Sequence, residues 1–432
     1  MRPEPAAATS PDPVGYWALL RHNAPYRRLW AGFVVSMAGD WFRTIALYHL
    51  VLQLTGTSGL ALSGVVLAQT LALFALSPVA GVVADRYSRK AIMISADLLR
   101  AVLALGFLAI SSADRLWLAY VLTAALMGVS AFFNPAHVAT IPNITAPREL
   151  LAANALTSAS WAAMLALGAA LGGVVAAAFG AGAAFVINAA AYVVSALCIS
   201  TVSVPRAAQP AAGPSQHTQN GWQAFWQGVR YMAGKPHVRR LLTVKAWSAG
   251  VAGGGLLVLF ALFAEGIFQA GALGMGTLYM TRGLGAMLGP VLARHWLGED
   301  PSRMLRAISV AFGCAAACYV AFAYMPSLWL AACALCLATM ASNVLWVFSA
   351  TLLQQSVPDA YRGRVFATDF ALFTIVMSLS TLLTGWSLDQ LWTTPRTAAA
   401  ILGALLLLPA LFWLPTTLRP DTALPAPDAP HR

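Results

Sequence analysis

The chain has 432 residues, of which 59% are hydrophobic and 9% charged, with 26 Lys+Arg against 15 Asp+Glu and a formal net charge of +11. A soluble domain carries about 25% charged residues and must face water with its exterior, so this composition, with a mean hydropathy of +0.71, excludes a water-soluble globule and points to a polytopic membrane protein. The cationic excess does not suggest nucleic acid either, because such a groove needs clustered basic side chains on a soluble face, and here they are spread through short loops.

Residues 1–25 are Ala- and Pro-rich with scattered charge and hold no apolar stretch followed by a cleavage site, which reads as a disordered cytoplasmic tail. Runs matching the roughly 20 apolar residues that cross a bilayer core then fall near 29–53, 60–84, 91–112, 116–138, 152–178, 182–204, 241–264, 272–293, 304–324, 327–350, 365–388 and 397–415. They lack the alternation of barrel strands. The expected fold class is therefore an all-α membrane protein with twelve transmembrane helices. The six-helix unit 26–204 and the six-helix unit 241–416 flank a central loop, 205–240, and residues 417–432 form a second tail. Within the loop, Trp222, Phe225, Trp226 and Val229 share one face of an amphipathic helix suited to the membrane surface.

Several polar residues interrupt the runs. In the first span Asp40 lies near mid-depth with Arg43 at i,i+3. "GVVADRYSRK" after the second span gathers Asp85, Arg86, Arg89 and Lys90. Arg282 sits near mid-depth of the eighth span, His49 lies toward an outer end, and Asp97, Arg100, Lys245 and Asp369 lie toward inner ends, where they can snorkel or join a gate network. The loop after the tenth span holds Arg362 and Arg364. A charge inside a bilayer costs at least about 2.5–3.5 kcal/mol on insertion scales, so Asp40, Arg43 and Arg282 are the leading functional candidates. Asp40 could couple protons to transport, form a permanent ion pair that orders helices, or touch substrate.

Trp30, Trp117, Trp296, Trp329 and Trp392 fall at span ends as interfacial anchors. Trp41, Phe42, Trp161, Trp247 and Trp346 are placed to line a cavity for a flat or amphiphilic substrate. Cys198, Cys314, Cys318, Cys333 and Cys336 all lie within apolar runs and read as small filler rather than redox or metal chemistry. No metal or cofactor is expected.

Loops and tails on one side hold 20 of the 26 cations, and the opposite loops hold only Arg115 and Arg396. By the positive-inside rule both termini are cytoplasmic. "TAPRELLAANAL" after the fourth span parallels "VPDAYRGRVFATDF" after the tenth, and "GPVLAR" echoes "GVVADR". Duplication of a six-helix unit is a mark of secondary transporters.

Gly81, Asp85, Arg86, Arg89 and Lys90 resemble the loop 2–3 signature of the major facilitator superfamily, G-x-x-x-D-R-x-G-R-K, with Ser88 in place of its second Gly. The resemblance implies an inner gate in which Asp85 accepts hydrogen bonds at the N-terminus of span 11; orientation alone is the plainer role for such a charged loop. The second-half copy has Ala293 where the acid would stand. "YRRLWAGFVVSMAGDWFRTIALYHLVLQLTGTS", "FFNPAHVATIPNITAPRELLAANAL" and "YRGRVFA" resemble the enterobactin-exporter and macrolide-efflux branch, the third drug:proton antiporter family, over residues 25 to about 415. Gly168, Gly172 and Gly173 stand as in the span-5 antiporter pattern without its proline, and Ala124 stands where many drug antiporters have Arg. The glycines fit either a bias toward export or plain helix packing.

The resemblance implies a monomeric transporter in a bacterial-type cytoplasmic (inner) membrane, with a small-molecule substrate, protons and the lipid bilayer as partners and no nucleic acid. Its function would be proton-coupled export of a drug, a macrolide-like compound or a siderophore, not catalysis. Import, lipid flipping and a non-transporting sensor or scaffold are the rivals.

Overall fold

A computed structural model describes residues 15–203, 230, 232, 234–298 and 300–418; the side chains of Asp85, Ala249, Ala252, Asp359, Ala360 and residues 415–418 lie outside that description. Residues 1–14 of the expected tail 1–25, residues 419–432 of the expected tail 417–432 and the amphipathic face of the central loop also lie outside it.

Among the described residues every regular element is helical. A short α1 (Tyr16–His22) stands where the sequence suggests a tail. It is followed by α2 (Ala24–Thr55), α3 (Gly59–Arg86), α4 (Arg89–Gly106), α5 (Leu116–Ile144) and α6 (Leu150–Ser200). The second half contains α7 (Pro236–Ile267), α8 (Gly271–Leu297), α9 (Pro301–Tyr324), α10 (Leu328–Ser356), α11 (Asp359–Asp389), α12 (Pro395–Leu405) and α13 (Leu407–Leu418). Nine helices among the described residues are long and apolar enough to cross a membrane. The similarly long α2 and α8, which carry Asp40, Arg43 and Arg282, are not among the nine.

Local chemistry sets the breaks. The Asn23 side chain accepts from Tyr26 N at 2.9 Å and starts α2 with Pro25 in its first turn. Gly56, at φ 65°, ends α2 in the left-handed conformation that glycine adopts at little cost. Ser58, Ser88, Asp300, Ser327 and Thr394 each cap the following helix with a side-chain oxygen. Ser88, the departure from the loop signature, is thus the N-cap of α4 and accepts from Ala91 N. At 51 residues α6 would run roughly 77 Å if straight, and Gly180, at φ 79° and ψ 171°, breaks it into two limbs. The break falls where the fifth and sixth spans were expected to part. In α7 the residues Gly250–Gly255 and Phe263–Ile267 wind as π-helix, a distortion frequent at functional sites.

Candidate functional site

Among the described residues Arg43, Arg100, Lys245 and Arg282 stand well inside their helices, and the first three are paired with acids. Arg43 is 1% exposed and its Nη2 stands 3.9 Å from Asp40, whose carboxylate is 28% exposed. Asp40 also accepts a hydrogen bond from Tyr192, on the second limb of α6. Arg43 Nε and Nη1 have no hydrogen-bond partner among the described residues. Arg100 pairs with Asp97 one turn away on α4, both buried, and its guanidinium lies 4.3 Å from the Phe133 ring centroid and 4.5 Å from that of Tyr192. Tyr192 therefore links the two pairs, with its hydroxyl on one and its ring on the other. In the second half Lys245 of α7 pairs with Asp369 of α11, and its ammonium lies 5.0 Å from the Trp346 ring and 5.3 Å from the Phe366 ring. These two residues do not snorkel to an inner end; they bury each other.

Arg282 stands apart from the other three. No carboxylate lies within 4 Å of it among the described residues, and Asp40 does not pair with it. It lies near enough to Tyr48, Tyr279 and Tyr319 to act electrostatically on their hydroxyls. The expected trio of Asp40, Arg43 and Arg282 thus resolves into one pair and one separate cation.

The two halves are joined along the side of loops 56–58, 268–270 and 390–394. Asp389, at the end of α11, accepts from Gly59 N at 2.8 Å, Leu60 N at 3.3 Å and Ser58 Oγ at 2.5 Å, so it caps α3. One turn deeper, Ser63 Oγ donates to Thr381 O at 2.9 Å. His49 Nδ1 and Glu265 Oε2 meet at 2.8 Å between α2 and α7. Small residues close the α6–α8 seam: a Cβ on Gly173 would lie 2.9 Å from Gly276 Cα, and one on Gly283 would lie 2.7 Å from Ala166 N. At the opposite end a Cβ on Gly81 or Gly363 would meet nothing within 4 Å, and Arg86 is exposed.

The remaining candidates divide clearly. A Cβ on Gly168 would lie 3.1 Å from Trp41 Cβ and one on Gly172 would lie 2.9 Å from Phe42 Cα, so these glycines let α6 approach α2 within one half, whereas Gly173 serves the seam between halves. Trp41 reaches Tyr279 across that seam, with ring centroids 6.0 Å apart. Trp346 packs edge-on against Phe373 at 5.2 Å. Trp247 instead lines an apolar groove of about 400 Å³ with residues of α11 and α12, and Trp161 is exposed. Arg89 donates to Ala139 O at 2.8 Å, and Lys90 to Ser200 O at 2.5 Å and Val202 O at 2.8 Å, all within the first half. Arg362 donates to Val357 O at 3.4 Å and Arg364 lies over the Tyr361 ring. Asp85, the acid of the charged loop, has its side chain outside the described residues. Asp389, Glu265 and Tyr192 had no flag in the sequence, because no local pattern marks a partner on a distant helix.

A family profile described as "Transmembrane secretion effector" matches residues 14–429. A Bacillus subtilis (strain 168) protein named "Uncharacterized MFS-type transporter YfiS" is 28% identical over 218 residues, which span 50% of this chain and 51% of that protein. A Bacillus amyloliquefaciens protein named "Putative bacilysin exporter BacE" is 24% identical over 366 residues, covering 84% of this chain and 88% of the relative. The fold superposes on a bacterial homolog of the human lysosomal transporter Spinster with a TM-score of 0.70 at 16% identity, covering 92% of this chain and 98% of that one. The chain belongs to the transmembrane secretion effector family of the major facilitator superfamily and is a multi-pass membrane transporter.

Proposed function

We propose that the protein exports a small organic molecule from the cytoplasm in exchange for protons, by alternating access. The observation that carries this reading is the Asp40–Arg43–Tyr192 cluster at mid-depth of α2, where a partly accessible carboxylate faces a buried guanidinium. Protonating Asp40 removes the counter-charge of Arg43, and losing that proton restores it. Such a site has two charge states of different internal pairing, which a proton-coupled carrier needs.

The reading counts twelve crossings: the nine long apolar helices with α6 taken as two because of Gly180, and α2 and α8, which have the length but fall outside the nine; α12 with α13 form the last. Two six-helix bundles then rock about the midplane. With the cation-rich loops inside, the joined end faces outward and the separated end opens to the cytoplasm. Gly81, Asp85, Arg86, Arg89 and Lys90 with Arg362 and Arg364 would form the inner gate in the opposite state. The export direction draws support from the exporter name of a relative alignable over most of both chains. The cargo classes consistent with the branch are drugs, macrolide-like compounds and siderophores.

A deletion strain and its parent, grown in iron-poor and iron-rich media, test this by profiling small molecules in medium and cytoplasm. A compound should vanish from the medium and build up in the cells, and wild-type protein but not Asp40→Asn should restore its release. Identical profiles for deletion and parent, across both media and a panel of toxic compounds, would remove export from consideration.

A further inference from the structure

We propose that Arg282 is the docking group for an anionic oxygen group, a carboxylate or phosphate, on the transported molecule; the proposal rests on the transport reading and narrows its cargo. Among the described residues Arg282 is the interior cation without an acid, while Arg43, Arg100 and Lys245 each have one. It occupies the twelfth position of the 27-residue α8, near the middle of a crossing, where an unpaired charge is costly and marks a substrate or ion path by default.

Its direction follows from the packing of α8. Gly276 and Gly283 press on α6, and Gly285 and Gly289 press on α10. Leu273, Leu288 and Val291 lie exposed on the opposite side of the helix. At 3.6 residues per turn Arg282 falls in the sector between the two packed faces, on the side of Tyr279 and away from the exposed leucines. That sector is the space between the halves, where Trp41 and Tyr48 of α2 stand 6.0 Å and 6.2 Å from the Tyr279 ring. The nearby phenols offer Arg282 no counter-charge, and two of them donate elsewhere. Tyr48 donates to Gln69 Oε1 at 3.2 Å and Tyr279 to Leu257 O at 2.9 Å. Tyr319 instead receives Ser342 Oγ at 3.3 Å. A guanidinium so placed has its planar donor fork available for bidentate binding of carboxylate or phosphate. The neighbouring rings of Trp41, Tyr48 and Tyr279 suit a flat body attached to that anion. A cargo whose only charge is cationic would meet Arg282 as repulsion.

The test uses the purified full chain in detergent and a series sharing one ring: indole-3-acetate, indoxyl phosphate, neutral indole-3-acetamide and cationic tryptamine. Binding of radiolabelled indole-3-acetate is measured up to millimolar concentration, with the others as competitors and no pH gradient present. At least one of the two anions should bind about tenfold tighter than the amide, with tryptamine weakest. Arg282→Gln should erase that preference and Arg282→Lys keep part of it, with melting temperature and elution profile reporting the fold of both. Whichever anion wins names carboxylate or phosphate. Equal binding of anions and amide, no anion binding to folded wild-type protein, or an intact preference in folded Arg282→Gln would each overturn the proposal. Because binding is read without a gradient, loss of gradient-driven flux with anion preference intact sinks the coupling reading alone.

Discussion

Lys245 and Asp369 are 124 residues apart and share one buried contact under Trp346 and Phe366. Breaking such a pair by removing one partner strands a charge in an apolar interior and costs roughly 3–5 kcal/mol, whereas replacing both partners by apolar residues is often close to neutral. Lys245→Met should therefore lower the melting temperature in detergent clearly, and Lys245→Met with Asp369→Leu should recover most of the loss. A double variant as unstable as the single one would mean that the pair is not the source of the effect. Asp40 with Arg43 was legible in the sequence because i,i+3 spacing puts two side chains on one helix face. Asp97 with Arg100 has the same spacing, but its position near a helix end allowed snorkelling to explain it equally well. Lys245 and Asp369 were each marked in the sequence as charges within apolar runs, but their pairing, and the role of Tyr192, gave no signal, since the partners come from distant helices brought together only by packing.

Two helices, α3 and α11, run side by side from the joined end to Phe74 and Phe370, whose ring centroids are 6.4 Å apart. The family resemblance implies a carboxylate at a helix N-terminus on this helix pair, Asp85 at the charged end. A contact of that chemistry is present at the opposite end, where Asp389 caps α3. Asp389 lies in the stretch "SLDQLW", which has no repeat partner or motif to flag it. A cap of this kind is worth about 0.5–2 kcal/mol, enough to shift the balance between two states by several-fold. Spin labels at Thr57 and Leu391, on loops of the joined end, should give a short distance in the wild-type background and a larger share of long distances in Asp389→Asn. Unchanged distance distributions would show that the cap does not hold this end closed. Gly173→Leu tests the α6–α8 seam by the same readout: its side chain would meet Ala272 O and Gly276, so the long distance should dominate.

Across the whole molecule, composition and loop charge were enough to establish a helical membrane protein, because the bilayer leaves few ways to satisfy backbone polar groups. The division of α6 was also legible, since the two apolar runs 152–178 and 182–204 are together too long for one crossing, and Gly180 falls between them. Which end is joined was not legible, because it depends on contacts between halves that no single helix encodes. The central claim is that protonation of Asp40 drives cargo across the membrane. It is tested most directly in sealed inside-out vesicles containing the purified chain and the compound identified in the deletion strain. An acid lumen should drive accumulation of the compound inside, a protonophore should discharge it, and Asp40→Asn should abolish it while remaining folded. Accumulation that ignores the gradient, or that persists in full with Asp40→Asn, would contradict the claim.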